Sequence, residues 1–149
     1  MNGSPLSKPA STRSKVRSPV PGLTPVDVRA VWAQVRPLLE DVRRRGPHTR
    51  MTPEEVYAAC RYNYAVMFFE PPNLLVLRDE FDAVNQHNIL WVWVAHGKGT
   101  LAMMPRLDAY ALEHGYDEIR MTSPRPGWER TPGWEPIETT YRRTPHGRP

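Results

Sequence analysis

The sequence predicts a single α+β domain in which a mixed, mostly antiparallel sheet is flanked by about three helices. Two early segments carry apolar residues at helical spacing behind strong helix-start signals. Later segments are short and apolar or alternate in polarity, as strands do, and a glycine turn joins the most apolar of them to a third helix. With 149 residues, the chain is long enough for one core and too short for two independent domains.

The first 23 residues form a basic tail. They are rich in Ser and Pro and contain no acidic residue. Their basic side chains are Lys8, Arg13, Lys15 and Arg17. So few apolar groups cannot offset the entropy of ordering a backbone, and residues 1–23 are expected to be disordered unless a partner binds them. The domain, residues 24–149, then holds 16 of the 20 basic groups against 16 acidic ones, so attraction to nucleic acid rests mainly on the tail.

Several classes of protein are not supported by the composition. The longest apolar run, residues 89–95, is far shorter than the roughly 20 residues of a membrane-spanning helix. Cys60 is the only cysteine, which excludes a disulfide framework within the chain. Its place on the apolar face of a helix predicts a buried hydrophobe and not a nucleophile. The five histidines share no metal-ligand spacing, so no zinc site is predicted.

Two helices are predicted before the first strand. Thr24-Pro25-Val26-Asp27 combines an N-cap threonine, a proline at the first helical position and an acid, and an apolar stripe then runs to Arg45. Gly46-Pro47 ends this helix. Thr52-Pro53-Glu54-Glu55 repeats the start signal, and the second helix is expected to end near Asn63.

Five strands are predicted after these helices. The pattern predicts a hairpin of residues 65–70 and 74–81. It predicts a central strand at residues 89–95, because they are apolar on both faces. A third helix ends at His114-Gly115. Polarity alternates again in residues 116–123 and in a last predicted strand around Ile137, Thr139 and Tyr141.

A glycine turn separates the central strand from the third helix. Glycines let the backbone approach a phosphate closely, and the N–H groups at a helix start point at a bound anion. Together with the order of elements, Val94-Ala95-His96-Gly97-Lys98-Gly99 resembles the Q/R-x-x-G-x-G/A turn of the GNAT (acyl-CoA N-acyltransferase) fold, with Val94 in place of Gln or Arg. The resemblance spans roughly residues 26–143. It implies an acetyl-CoA pyrophosphate site, whose candidate residues are Gly97, Lys98, Gly99 and Thr100.

His96, beside this turn, is expected either to orient a phosphate or to be solvated.

The chain departs from the GNAT pattern where catalysis is concerned. GNAT enzymes usually place a helix, often with a tyrosine acid, between the last two matched strands, whereas residues 123–133 hold three prolines and two glycines. GNAT enzymes often carry a glutamate base on the central strand, and residues 89–95 contain no acid. The remaining candidates are Tyr116 as an acid and Glu70 or Glu118 as a base, each as easily a solvated edge residue. The fold is expected to be truncated relative to the full family.

The leading functional prediction is a non-catalytic GNAT-like component of a phage particle. With Gly127-Trp128 after the last helix, the chain resembles the GNAT-like virion-associated proteins of tailed phages. The resemblance implies binding to other virion proteins in the head, the internal core or the head-tail junction. It also implies a location in the virion or the host-cell cytoplasm, and no cofactor. The alternative is an acetyl-CoA-dependent N-acetyltransferase acting on an amine or protein. A third hypothesis, a nucleic-acid-binding accessory, rests on the tail alone.

Overall fold

The computed structural model describes residues 22–46, 51–123, 127–138 and 141–145. The α-helices in these ranges are α1 (Val28–Arg45), α2 (Pro53–Arg61) and α3 (Met104–Glu113). Short 3₁₀ helices lie at Lys98–Met103 and Trp128–Arg130. The strands are β1 (Val66–Glu70), β2 (Asn73–Asp82), β3 (His87–His96) and β4 (Glu118–Met121). The order of elements therefore follows the predicted order as far as β4.

The four strands form one mixed sheet in the order β1-β2-β3-β4. The pairs β1–β2 and β2–β3 are antiparallel, and β3–β4 is parallel. β3 is thus an interior strand, as its apolar character predicted. A mostly antiparallel mixed sheet with three α-helices confirms the predicted fold class.

Both faces of the sheet are covered. On one face, α1 and α2 pack on the strands to form the α1/α2 core, which consists of Val28, Val35, Leu39, Met51, Val56, Ala65, Met67, Leu74, Val76 and Val94. On the other face, α3 covers the α3 core, which consists of Phe68, Leu75, Leu77, Leu90, Val92, Met103, Leu107 and Ala111. Successive residues of β2 therefore alternate between two buried layers, which explains its continuous apolar run. None of the described helices is long and apolar enough to cross a membrane.

The first helix begins three residues later than the sequence predicted. Asp27, and not Thr24, is the N-cap: its Oδ1 accepts a 2.9 Å hydrogen bond from the Arg29 N–H. The Val26 N–H is used elsewhere, because it donates a 2.9 Å hydrogen bond to the Met67 carbonyl of β1. This bond to the sheet competes with the local start signal and holds the preceding residues outside the helix.

The second helix has the predicted start and ends two residues early, at Arg61. Thr52 Oγ1 accepts from the Glu55 N–H at 3.1 Å, and Glu55 Oε1 accepts from the Thr52 N–H at 3.0 Å, which completes a capping box. We expect Thr52→Ala to lower the free energy of unfolding by about 1 kcal/mol, because the Glu55 N–H loses its hydroxyl acceptor. Urea unfolding measures this loss. Thr52→Ser retains the cap and should be close to wild type, so an equal loss in both variants would contradict the prediction.

A β-bulge interrupts the pairing of β2 with β3. Val76 pairs with Val94 and the next residue, Leu77, pairs with Val92, so Trp93 has no partner of its own on β2. As a result the successive residues Trp93 and Val94 both pack against the α1/α2 core, which a regular strand does not allow. The bulge sets which face each later residue of β3 occupies.

The chain after β4 corrects another prediction. β4 covers only residues 118–121 of the predicted 116–123 strand. The described residues around the predicted last strand, 134–138 and 141–145, form no strand, and Ile137 and Tyr141 are 58% and 88% exposed. Thr139 lies outside the described residues. A segment with alternating polarity forms a strand only if a neighbouring strand supplies its hydrogen bonds. Alternation alone therefore led to a wrong prediction here.

Candidate functional site

The glycine turn at the end of β3 is closed by Asn73, the first residue of β2. The Gly99 N–H donates a 2.9 Å hydrogen bond to Asn73 Oδ1. The N–H and the hydroxyl of Thr100 both donate to the Gly97 carbonyl, at 3.3 and 3.0 Å. Two of the amides that would face an anion are therefore engaged within the chain.

Asn73 also explains why the turn contains two glycines. A Cβ on Gly99 would lie 2.8 Å from Asn73 Cγ, and one on Gly97 would lie 2.5 Å from Asn73 Oδ1. Gly97 has in addition a φ of +112°, a region that favours glycine. The glycines thus make room for a side chain of this protein. A carboxamide of this protein lies against the turn and binds the Gly99 amide, so the residues present do not fit acetyl-CoA in this arrangement.

The helix after the turn begins later than predicted. Residues 98–103 form a 3₁₀ helix, and the α-helical part starts at Met104 with no side-chain cap. The first amides of α3 therefore lie a full turn or more beyond Gly99. The 3₁₀ helix itself starts at Lys98 with Gly97 as its N-cap, so the first amides of that helix, and not those of α3, lie in the glycine turn.

Glu70 is the catalytic candidate nearest the turn, because it pairs with Asn73 across β1 and β2. Arg106 of α3 binds both of its oxygens: Nη1 donates to Oε1 at 2.7 Å, and Nη2 donates to Oε2. This hydrogen bonding lowers the pKa of Glu70. A carboxylate kept ionised in this way holds a proton poorly and is a weak general base near neutral pH.

Tyr116 and Glu118 lie at the opposite end of the sheet from the turn. Glu118 opens β4 and pairs with Ile89 of β3. Gly97 follows Ile89 by eight residues, which is about 26 Å along a strand. The structure therefore does not bring these two candidates together with Gly97, Lys98, Gly99 and Thr100.

The side chains of Tyr116 and Glu118 are committed to neighbours. The Tyr116 hydroxyl donates to the Asp79 carboxylate. Glu118 Oε1 accepts from Arg120 Nε at 2.8 Å, and Oε2 is hydrogen-bonded to His87 Nδ1. Arg120 first and His87 second lower the pKa of Glu118, which opposes its use as a base.

The His87–Glu118 contact should make stability depend on pH. The bond to Glu118 raises the pKa of His87 above its ordinary 6.5. A raised pKa stabilises the fold below the unfolded-state pKa, and this contribution is lost as the pH rises through the folded-state pKa. Wild type should therefore lose stability faster than His87→Gln between about pH 6 and pH 8. Urea unfolding at constant ionic strength tests this, and equal pH slopes for the two chains would contradict it.

His96 binds helix α1. Because it follows the bulge, its side chain faces α1, where Nε2 lies 2.8 Å from Asp41 Oδ2. Asp41 also binds Arg44 and Arg45, at 3.2 and 3.0 Å. The hydrogen bond from His96 is the largest cause of the lowered pKa of Asp41. The His96 side chain is 19% exposed, which corrects the expectation that it is solvated.

Cys60 behaves as the sequence predicted. It packs, partly buried, against the α1/α2 core. Burial raises its pKa to about 11, so the reactive thiolate is a very minor species at neutral pH. No group of three or more His, Cys, Asp or Glu side chains that could hold a metal ion occurs in the described part of the chain.

The loop after β4 replaces the helix that GNAT enzymes usually have there. Among residues 127–138 the only helical segment is the single turn Trp128–Arg130. Trp128 Nε1 donates a 2.8 Å hydrogen bond to Ser123 Oγ, and the rings of Trp128 and Trp134 meet edge to face at 6.0 Å. The two tryptophans hold this loop together and tie it to the chain just after β4.

Known structures share this architecture. No family model and no curated protein sequence matches the chain. A solved structure described as a probable acetyltransferase aligns with a TM-score of 0.61 and 10% identity, over 83% of this chain and 97% of the other. Ribosomal-protein-alanine N-acetyltransferase from Brucella melitensis biovar Abortus 2308 aligns with a TM-score of 0.59 and 14% identity, over 83% and 98% of the two chains. The chain therefore has a GNAT-like fold, and at this identity the likeness concerns the fold alone.

Proposed function

We propose that this chain is a non-catalytic GNAT-like protein that binds other proteins in an assembly, as a component of the head, internal core or head-tail junction of a phage particle. The observation that carries the non-catalytic part is the bond between Asn73 Oδ1 and the Gly99 N–H. An acyltransferase of this fold needs the amides of that turn for the pyrophosphate of its acyl donor. Here a side chain of the same protein occupies one of them.

The state of the candidate catalytic groups supports the same proposal. Glu70 is the candidate near the turn, and Arg106 holds it ionised. Tyr116 and Glu118 lie about 26 Å away along the sheet and are bonded to other side chains. An acyl group at the turn would therefore meet neither a general base nor a general acid from this set.

Binding to other proteins is supported by two features. Exposed apolar side chains occur beyond α2, where Tyr62 and Tyr64 are 66% and 78% exposed, and at the β2–β3 turn, where Val84 is 90% exposed. The predicted partner-binding tail carries four basic groups and no acid. Its residues 1–21 lie outside the described part of the chain, and a weak contact with nucleic acid through them remains a prediction.

Acetyl-CoA binding tests the non-catalytic part. We expect no heat on titrating the purified full chain with acetyl-CoA or CoA up to about 1 mM, which corresponds to a binding free energy weaker than about −4 kcal/mol. The matched variant is Asn73→Ala, which frees the Gly99 amide. The alanine keeps a residue at this position, so the length of β2 does not change. Binding by the variant alone would identify Asn73 as the block, whereas binding and acetyl transfer by wild type would contradict the proposal.

Mass spectrometry of purified particles tests the assembly part. The chain should be present at a fixed number of copies relative to the major structural proteins. Its absence from particles, together with its presence in the infected-cell extract, would contradict a structural role.

An acetyl-CoA-dependent N-acetyltransferase acting on an amine or protein is the second candidate. Two observations favour it. The two solved structures described above carry acetyltransferase names. β4 pairs with β3 only up to Val92 and Met121, so the residues of β3 from Trp93 to His96 have no β4 partner in the described ranges. The calorimetry above decides between the two, because an acyltransferase must bind its donor.

A further inference from the structure

A groove of about 700 Å³ lies between α3 and residues 131–134. Its walls are largely apolar and aromatic, and include Leu101, Met104, Leu112, Ile119 and Trp134. Leu101 and Leu112 are 51% and 63% exposed. The groove therefore presents apolar surface to solvent on the α3 side of the sheet.

The rim of the groove is negatively charged. Asp108 and Asp117 line it, both are exposed, and neither forms a salt bridge with any residue in the described ranges. Glu118 also lines it, but Arg120 and His87 already bind that carboxylate. Asp117 Oδ2 accepts a 2.8 Å hydrogen bond from the Asn88 N–H, and neither carboxylate has a cation paired with it in the described ranges. Two carboxylates of this kind beside an apolar groove attract a segment that carries both positive charge and apolar groups.

The described part of the chain begins on the face of the sheet that α3 covers, which is also the face with the groove. The Gly22 carbonyl accepts a 3.0 Å hydrogen bond from Arg106 Nη2 of α3, and Leu23 packs against the α3 core. The 21 residues before Gly22 have a maximum extended reach of about 70 Å. The groove lies on the other side of α3, and a helix is only about 10 Å across. The preceding segment can therefore reach the groove easily.

We propose that residues 1–21 bind in this groove of their own chain. The segment complements the rim, because it contains Lys8, Arg13, Lys15 and Arg17 and no acidic residue. Four prolines in the same segment favour the extended polyproline conformation, which loses little entropy on binding and docks in grooves lined by aromatic rings. Trp134 and Tyr116 supply such rings here.

This inference is independent of any role in a phage particle. It predicts that a partner of the tail must compete with the groove.

A spin label on the tail of the full chain tests the proposal. Ser11→Cys introduces a thiol that labels selectively near pH 7, because burial raises the pKa of Cys60 to about 11. With a nitroxide at position 11, the amide signals of Leu112 and Ile119 and the indole signal of Trp134 should lose intensity. The amide of Glu54, on the opposite side of the sheet, should not. The intensity should return in about 1 M salt, where the Debye length is about 3 Å.

Matched charge variants complete the experiment. Asp108→Lys reverses a groove carboxylate that is exposed, and it should abolish the loss of intensity. Glu54→Lys makes the same change on the opposite face and should leave the loss intact. The proposal is overturned if the groove signals keep their intensity, or if Asp108→Lys has no effect. A mixing experiment excludes binding between copies: isotope-labelled chain without nitroxide is mixed with nitroxide-labelled chain that carries no isotope. If the groove signals lose as much intensity in this mixture, the tail comes from a second copy, and the proposal is overturned.

Discussion

Gly99→Ala should lower the free energy of unfolding by about 1–3 kcal/mol, and Asn73→Ala should remove most of that loss when the two are combined. The three atoms nearest a Cβ on Gly99 all belong to the Asn73 carboxamide, the closest carbon being Cγ at 2.8 Å. Gly99 has no positive φ that would add strain. Truncating Asn73 therefore removes the whole obstacle, at the cost of one hydrogen bond from the Gly99 N–H.

Gly97→Ala is the matched control, because its cost has a different origin. A Cβ there would lie 3.0 Å from both Asn73 Cα and the Pro72 carbonyl oxygen, which are backbone atoms that Asn73→Ala retains. The φ of +112° adds strain of about 1–3 kcal/mol for any side chain. Asn73→Ala should therefore rescue Gly99→Ala and fail to rescue Gly97→Ala.

Urea unfolding of the single and double variants gives both coupling energies. A large coupling between positions 73 and 99 with a small one between 73 and 97 is the expected result. Equal couplings, or none, would mean that Asn73 does not occupy the turn in solution. The proposed reason for weak acetyl-CoA binding would then be wrong as well.

The sequence predicted the glycine turn but could not predict what fills it. The position of Gly97 and Gly99 after an apolar strand is a local signal, and local signals are what periodicity and turn chemistry report. The contact with Asn73 joins residues 26 positions apart and depends on the register of β1, β2 and β3. In the sequence, Asn73 follows two prolines and looks like an ordinary turn residue. A functional interpretation of the glycines from spacing alone therefore favoured a phosphate.

The starts of α1 and α2 also show that local sequence signals do not report tertiary contacts. Thr52 was identified correctly because its capping box is entirely local. Thr24 carried an equally good signal, but the Val26 N–H binds the Met67 carbonyl, and the helix begins after Asp27. Where tertiary hydrogen bonds compete with a cap, the sequence pattern gives the helix but not its first residue.

The catalytic candidates were chosen by residue type, and the fold separates them. Glu70 lies near the turn, whereas Tyr116 and Glu118 lie beside the beginning of β3. This separation follows from the parallel pairing of β3 with β4, which puts the first residue of β4 beside Ile89. His96 shows a related effect, since the bulge at Trp93 determines that it faces Asp41 of α1. Neither the parallel pairing of β3 with β4 nor the bulge at Trp93 can be predicted from the pattern of residue types along the chain.

The bulge leads to a prediction about deletions in β3. Deleting Trp91 should lower the free energy of unfolding by about 4 kcal/mol or more, which is enough to unfold many small domains. The deletion moves Val92 out of the α3 core, where it is 5% exposed, and puts the Trp93 indole in its place. The core loses a fitted valine and is overpacked by a larger ring.

Deleting Trp93 is the matched control, and it should be tolerated much better. Val92 then pairs with Leu77 and Val94 with Val76 without the extra residue between them, so both valines keep their faces. The chain loses only the burial of the half-buried indole and its contact with the Arg78 guanidinium, which lies 4.7 Å from the ring centre. We expect this to lower the free energy of unfolding by about 2 kcal/mol. Circular dichroism during urea unfolding compares the two deletions. If loss of Trp93 destabilises the chain as much as loss of Trp91, Trp93 is not the bulged residue, and the argument that the bulge turns His96 toward Asp41 does not hold.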